Sequence, residues 1–121
     1  MMKERVDFLI ACGRNSESYV QFLIQTVEKT ASSTDFRFLL GINDNYVSRS
    51  KLENISSEHN IEILDCRSDG AGSYGHGEAL DKLSKYVKTD FFIICDCDVA
   101  FLTKDWDKLL LDKFGQNDSL A

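Results

Sequence analysis

Proline is absent from all 121 residues, where ordinary usage is about 5%. No internal repeat or low-complexity segment is present either, so nothing divides the chain into separate units. A chain of this length is one domain at most, close to the usual size for a single core. No apolar stretch approaches the roughly 18 residues of a membrane span. No signal-peptide core follows Met1-Met2-Lys3-Glu4-Arg5, so a cytoplasmic protein is expected. Basic charge is in short supply, with 14 Lys and Arg against 20 Asp and Glu and a formal net charge of -6. Phosphate-backbone binding needs a basic surface, which argues against nucleic acid but leaves open a nucleotide held through a metal. The four cysteines, Cys12, Cys66, Cys95 and Cys97, form no CxxC pair. The remaining ligands of a zinc site are missing around Cys95 and Cys97, so reduced, partly buried thiols are expected. What is left, 43% hydrophobic and 28% charged residues, suits a folded globular domain.

Within that composition one stretch stands out. Phe91-Phe-Ile-Ile-Cys95 runs without a polar break and stops at Asp96-Cys97-Asp98. A short apolar run bounded by polar residues is the pattern of a strand buried on both faces. Two carboxylates then lie one residue apart, followed at once by Val99, Ala100, Phe101 and Leu102. Burying such charge is costly unless a counter-ion compensates it. Mg²⁺ and similar hard cations accept one or two carboxylates plus substrate phosphates. A pair of solvated aspartates at a strand end is the plainer alternative.

The rest of the chain alternates strand and helix. Strands are predicted at Val6–Cys12, Phe36–Ile42 and Ile61–Cys66, before the run at Phe91–Cys95. Between the first two, Val20, Leu23, Ile24, Val27 and Ala31 recur at helical spacing, with Asn15 or Ser16 as cap and Glu17 in the first turn. A weaker helix is expected over Ser48–Glu58, with Ser50 and Glu53 at capping-box spacing and Leu52 and Ile55 inward. A glycine-rich loop, Ser68 to Gly77, leads into a helix with the stripe Ala79, Leu80, Leu83, Tyr86 and Val87. Lys85 and Lys88 fall in its last turn. A last helix spans Asp105–Phe114, with Trp106, Leu109, Leu110 and Phe114 inward and Gly115 as its stop. The domain is then 1–115, with 116–121 as a tail.

This alternation predicts an α/β fold, a Rossmann-like parallel sheet with helices on both faces. Right-handed crossovers leave few topologies, of which the strand order 3-2-1-4 is the choice here. Ligands bind such sheets beyond the carboxyl ends of the strands, where the order reverses. The reversal falls between the first and fourth strands, so Gly13-Arg14-Asn15 and Asp96/Asp98 are expected at one crevice. The turns at Asn43-Asp44 and Asp69 to Gly77 line the same edge.

The ordered set of first strand, Asn-Asp turn, glycine-rich loop, helix and Cys-Asp-Cys-Asp resembles the nucleotide-binding half of a GT-A glycosyltransferase, most similar to glycosyltransferase family 2. Gly77-Glu-Ala-Leu-Asp-Lys-Leu83 resembles that family's Gly-x-Ala-Arg-Asn segment, with Leu80-Asp81 in place of Arg-Asn, and Asn43-Asp44 stands where a double aspartate is usual. The resemblance covers roughly residues 6–114. It implies a nucleotide diphosphate-sugar donor and a Mn²⁺ or Mg²⁺ cofactor. Asp98 would be the metal ligand, Asp96 would contact ribose or a metal-bound water, and Asp44 would reach the base. Arg14, Asp69 and Gly77 complete the implied donor site.

Only Val99 to Ala121 follow the acidic pair, so the acceptor half of such an enzyme is not expected in this stretch and no catalytic base can be named. His76, between two glycines, is expected to be a loop residue. A fragment, a short donor-binding relative, or a site completed by another subunit all remain open. Apolar surface around Phe91, Phe92, Val99, Phe101 and Leu102 is expected to be partly uncovered and to favour a homo-oligomer, unless the last helix folds back over it. Two other functions fit parts of the pattern. One is a non-catalytic nucleotide-sugar-binding module. The other is a haloacid-dehalogenase-like phosphatase, whose nucleophile motif Asp96-Cys-Asp-Val also resembles, though that family carries the motif on its first strand.

Overall fold

The computed structural model describes residues 4–32, 34–55, 60–67 and 72–116, apart from the side chains of 72–76 and 114–116. Among these, strands β1 (Glu4–Cys12), β2 (Thr34–Ile42), β3 (Asn60–Asp65) and β4 (Phe92–Cys95) alternate with helices α1 (Glu17–Thr30), α2 (Arg49–Glu53), α3 (Gly72–Ser84) and α4 (Trp106–Gln116). The sheet is wholly parallel in the order β3-β2-β1-β4, as the sequence pattern predicts.

Strand residues alternate between faces, and the two faces carry different cores. Val6, Phe8, Ile10 and Cys12, with Phe36, Phe38 and Leu40, pack against Val20, Leu23, Ile24 and Val27 of α1. Leu52 and Ile55 close this larger core from the α2 side. On the opposite face Leu9, Ala11 and Leu39 meet Ala79 and Leu83 of α3. Helices therefore cover both faces. A Cβ on Gly41 would stand 2.9 Å from Leu83 Cδ1, so glycine at this strand position lets α3 settle onto the sheet.

Several local expectations fail for identifiable reasons. β4 is an edge strand, not one buried on both faces. Ile93 and Cys95 pack against the larger core, but Phe92 and Ile94 are 46% and 51% exposed. Their face belongs to α3, which lies over β1 and β2 and leaves β4 uncovered. The glycine-rich loop is shorter than expected, because α3 begins at Gly72 and Gly77 lies inside it. Docking of Ala79 and Leu83 outweighs the poor helix propensity of glycine. Tyr86, placed in the inward stripe, lies beyond the helix end and is exposed. Lys85 and Lys88 likewise follow the last turn. In α2 the cap is Ser48, whose Oγ accepts from Lys51 N at 3.3 Å, while Glu53 accepts from Arg49, so no Ser50–Glu53 box forms. Residues 56–58 of the expected longer helix lie outside the described residues. Ser16 stands at the N-cap of α1 without a side-chain capping bond. In α4, Leu109 and Leu110 are exposed rather than inward, the side chain of Phe114 lies outside the described residues, and Gly115 does not stop the helix.

The chain after β4 folds back over the larger core. Phe101 N donates to Thr26 Oγ1 at 3.0 Å, and Trp106 Nε1 to Thr30 Oγ1 at 2.9 Å. Trp106 stacks on Phe101 with ring centroids 4.3 Å apart, and on Phe36 at 5.7 Å. The chain's own helix thus covers Phe101, but Phe91, Phe92, Val99 and Leu102 stay exposed, so the fold-back covers only part of the expected apolar surface.

A largely buried charged pair joins β1 and β2 near the amino end of the sheet. Asp7 lies opposite Arg37 in the β1–β2 register. Arg37 Nε and Nη2 each donate to the Asp7 carboxylate at 2.9 Å, and Lys88 N donates to it at 2.7 Å. Arg37 also donates to Tyr86 O at 2.8 Å and to Glu62 at 3.2 Å. Burial alone would raise the Asp7 pKa, but the hydrogen bonds from Arg37 and Lys88 and their positive charge outweigh it and hold the carboxyl below its usual value. A polar cleft of about 450 Å³ opens beside the pair. The charges of Asp7 and Arg37 satisfy one another there, so the cleft's central groups have a structural task.

Removing one partner of such a pair leaves the other charge uncompensated, which typically costs about 3–5 kcal/mol. Asp7→Ala is expected to lose about that much in urea unfolding at pH 7. Because the folded pKa is depressed, the pair's contribution is complete above the unfolded value near 3.8 and fades as pH falls through the lower folded value. The wild-type and Asp7→Ala curves should therefore converge in acid. A constant gap between them down to pH 2 would show that the pair is not the cause.

Candidate functional site

The loops that follow the strands are tied to one another along the carboxyl edge of the sheet. Asn43 N donates to Cys12 O at 3.1 Å, and Cys66 N to Ile42 O at 2.8 Å. The turn after β1 passes through Asn15 with φ of 61°, a left-handed conformation that asparagine tolerates better than most residues. A Cβ on Gly13 would come within 3.3 Å of Asn43 Oδ1, so the first two loops abut closely.

The loop after β2 is held at successive points. Asp44 Oδ1 accepts from Tyr46 N at 2.7 Å in an Asx turn. Glu17 Oε1, in the first turn of α1, accepts from Ser48 N at 2.8 Å. That hydrogen bond is the main reason the Glu17 carboxyl sits below its usual pKa. The Arg14 guanidinium lies 3.8 Å from the Tyr46 ring centroid, a cation–π stack joining the first loop to the second. At the end of β3, Arg67 Nε and Nη2 donate to Asp65 at 2.8 and 2.5 Å, and Nη1 reaches Asn45 Oδ1 at 2.8 Å. The side-chain and backbone hydrogen bonds from Arg67 bring the Asp65 pKa down to about 2. Lys82 Nζ of α3 donates to Arg67 O at 2.7 Å.

On the far side, the alternation of β4 continues into the acidic turn. Ile93, Cys95 and Cys97 pack against the larger core, and Asp96 and Asp98 are exposed. Cys97 anchors the turn while its two neighbours project from it. This corrects the premise of buried carboxylates, since both side chains are open to solvent and escape the burial cost that would demand a cation. Two exposed oxygen ligands still suit a hard cation that keeps waters and substrate phosphates in its shell. Among the described residues no group of three or more His, Cys, Asp or Glu side chains could hold a metal.

Of the residues singled out in the sequence, Arg14 and Asp44 occupy adjoining loops at this edge, and Asp96 and Asp98 follow the neighbouring strand β4. Gly77 is exposed on α3 with nothing within 4 Å of a built Cβ, so packing does not require glycine there. Asp69 and the side chain of His76 lie outside the described residues. Sequence reasoning missed Tyr46 and Arg67. Asn43-Asp44-Asn45-Tyr46 carried a signal for the first, because an aromatic residue directly after an Asx-turn sequence is set outward from a fixed backbone.

All four cysteines are free thiols. Burial pushes the Cys12 pKa far up, helped by Cys97 and Glu17. Cys95 and Cys97 are raised by burial first and then by Asp96 and Asp98. Thiolate nucleophiles at this edge are therefore disfavoured. Iodoacetamide at pH 7 is expected to modify Cys95 and Cys97 slowly and Cys12 more slowly still. Peptide mass mapping that found Cys12 labelled first would contradict this order.

No model of a known protein family matches the chain, and no curated protein sequence matches it.

Proposed function

We propose that this chain is a donor-binding domain of the GT-A glycosyltransferase type, which binds a nucleotide diphosphate-sugar through a divalent cation at Asp96 and Asp98. The observation that carries the proposal is the strand order. Because β1 and β4 are parallel neighbours at the point where the strand order reverses, the Arg14 turn and the Asp96–Asp98 turn leave adjacent strands on the same edge. That is the place where parallel α/β sheets bind ligands. Asp98 would ligate Mn²⁺ or Mg²⁺ together with the diphosphate, and Asp96 would contact ribose or a metal-bound water. Arg14 and Asp44 lie on the side assigned to the nucleoside. The bound cation would supply Lewis-acid stabilisation of charge on the diphosphate leaving group.

Calorimetric titration of UDP and of GDP, each with Mn²⁺ and then with EDTA, tests the proposal. Binding of at least one nucleotide is expected with the metal and should be lost with the chelator. Asp98→Asn should weaken it about tenfold or more, the scale of one lost contact to a charged group, and more than Asp96→Asn does. Equal affinity with and without the metal would overturn the proposed site.

A further inference from the structure

We infer that Tyr46, backed by Arg14, is a stacking platform for the nucleobase of the donor, an inference that rests on the donor-binding function proposed above. Tyr46 is 70% exposed although the Arg14 guanidinium lies 3.8 Å from its ring centroid. One face of the ring is thus covered by a cation, and most of the residue still meets solvent. An aromatic side chain so exposed contributes little to the core and leaves its ring accessible to a ligand.

The backbone beneath the ring is held by its neighbours. Tyr46 N is bound by Asp44 Oδ1 at 2.7 Å, and Val47 N by Asp44 O at 3.3 Å. Val47 packs on the larger core, and Ser48 N is bound by Glu17. Tyrosine has only two side-chain torsions to fix, so a ring set on such a backbone is ordered at low entropic cost before a ligand arrives. Asp44 is, on this inference, a positioning residue acting through Tyr46.

Position selects the nucleobase over the sugar as the stacked group. Tyr46 follows β2, Arg14 follows β1, and the acidic turn follows β4, in that order along the edge. Neighbouring strands are about 4.8 Å apart, so the Tyr46 loop starts about 10 Å from the acidic turn. With the diphosphate at the cation, an extended nucleoside reaches back over this distance, while the sugar lies beyond the phosphates on the other side. The Asn43 and Asn45 amides precede the platform in the same loop. Stacking on an aromatic face tolerates any base, because every base has a π face.

The test compares three ligands, UDP, GDP and inorganic pyrophosphate, each with Mg²⁺, on wild type, Tyr46→Leu and Tyr46→Phe. The substitutions alter an exposed side chain, and circular dichroism checks that the fold is kept. The expected result is that Tyr46→Leu binds the preferred nucleotide about tenfold more weakly, that pyrophosphate affinity is unchanged, and that Tyr46→Phe behaves as wild type. Upfield ring-current shifts of the base protons on binding should be present with wild type and Tyr46→Phe and absent with Tyr46→Leu. Unchanged nucleotide affinity in Tyr46→Leu, or an equal loss for nucleotide and pyrophosphate, overturns the platform while leaving the donor site standing. Failure of wild type to bind either nucleotide overturns the donor-binding function itself, and the platform with it.

Discussion

The Asp7–Arg37 pair fixes where everything else at the sheet can stand. It joins β1 to β2 in register, and through Lys88 N it also fastens the connection that delivers the chain to β4. Thr89 Oγ1 accepts from Asp7 N at 3.1 Å and donates to Phe91 O at 2.5 Å, one residue before the strand begins. β4 pairs with β1 over only four positions, starting with Asp7 opposite Phe92. So short a strand has little pairing of its own to set its register, and a slip of one residue would exchange its faces. The pair therefore decides indirectly that Cys97 turns inward and that Asp96 and Asp98 emerge at the carboxyl edge. A buried ion pair is weak grounds for net stability, because an apolar replacement of similar volume often does as well. Its value here is positional.

The two faces of the sheet are covered unequally, and this shapes the edge. The larger core gathers α1, α2, Phe101 and Trp106 on one side, whereas the smaller one rests mainly on α3. Gly41 lets Leu83 approach closely, which concentrates the cover of α3 over β1 and β2. Phe92 and Ile94 lie beyond its reach. A half-covered parallel edge strand departs from the usual arrangement, in which such strands are buried on both faces. The hydrogen bonds from Trp106 and Phe101 to α1 commit the returning chain to the already well-covered face.

The strand order and the alternation of strands and helices were legible in the sequence because apolar runs of this length admit few arrangements. The Asp7–Arg37 pair was not used, although Val6-Asp7-Phe8 and Phe36-Arg37-Phe38 each carry one charge at the same depth in an apolar run. Opposite charges interrupting two neighbouring strands point to each other once the register is known. The start of α3 was misplaced because glycine content describes propensity, whereas docking of Ala79 and Leu83 decides the outcome. Leu109 was assigned inward from helical spacing alone. The neighbour that would have covered it is absent on that side of α4 among the described residues, and Asp107, 2% exposed and accepting from Ser32 N, takes an inward place instead.

Exposure of Asp96 and Asp98 changes the physical basis of the proposed metal site. Buried carboxylates would demand a cation for the fold to form, and the metal would then bind whether or not a donor were present. Hydrated carboxylates make no such demand. Both are exposed to solvent, so a cation gains only the difference between two carboxylate contacts and the waters it sheds. Mg²⁺ in particular dehydrates reluctantly and usually shares its shell with substrate phosphates. On the donor-binding proposal, then, the diphosphate is as much a metal ligand as the protein is. Cation and diphosphate stabilise each other's binding, and by linkage each raises the affinity of the other by the same factor. On that proposal such a site has no need of a third protein ligand, because the substrate supplies the remaining oxygens.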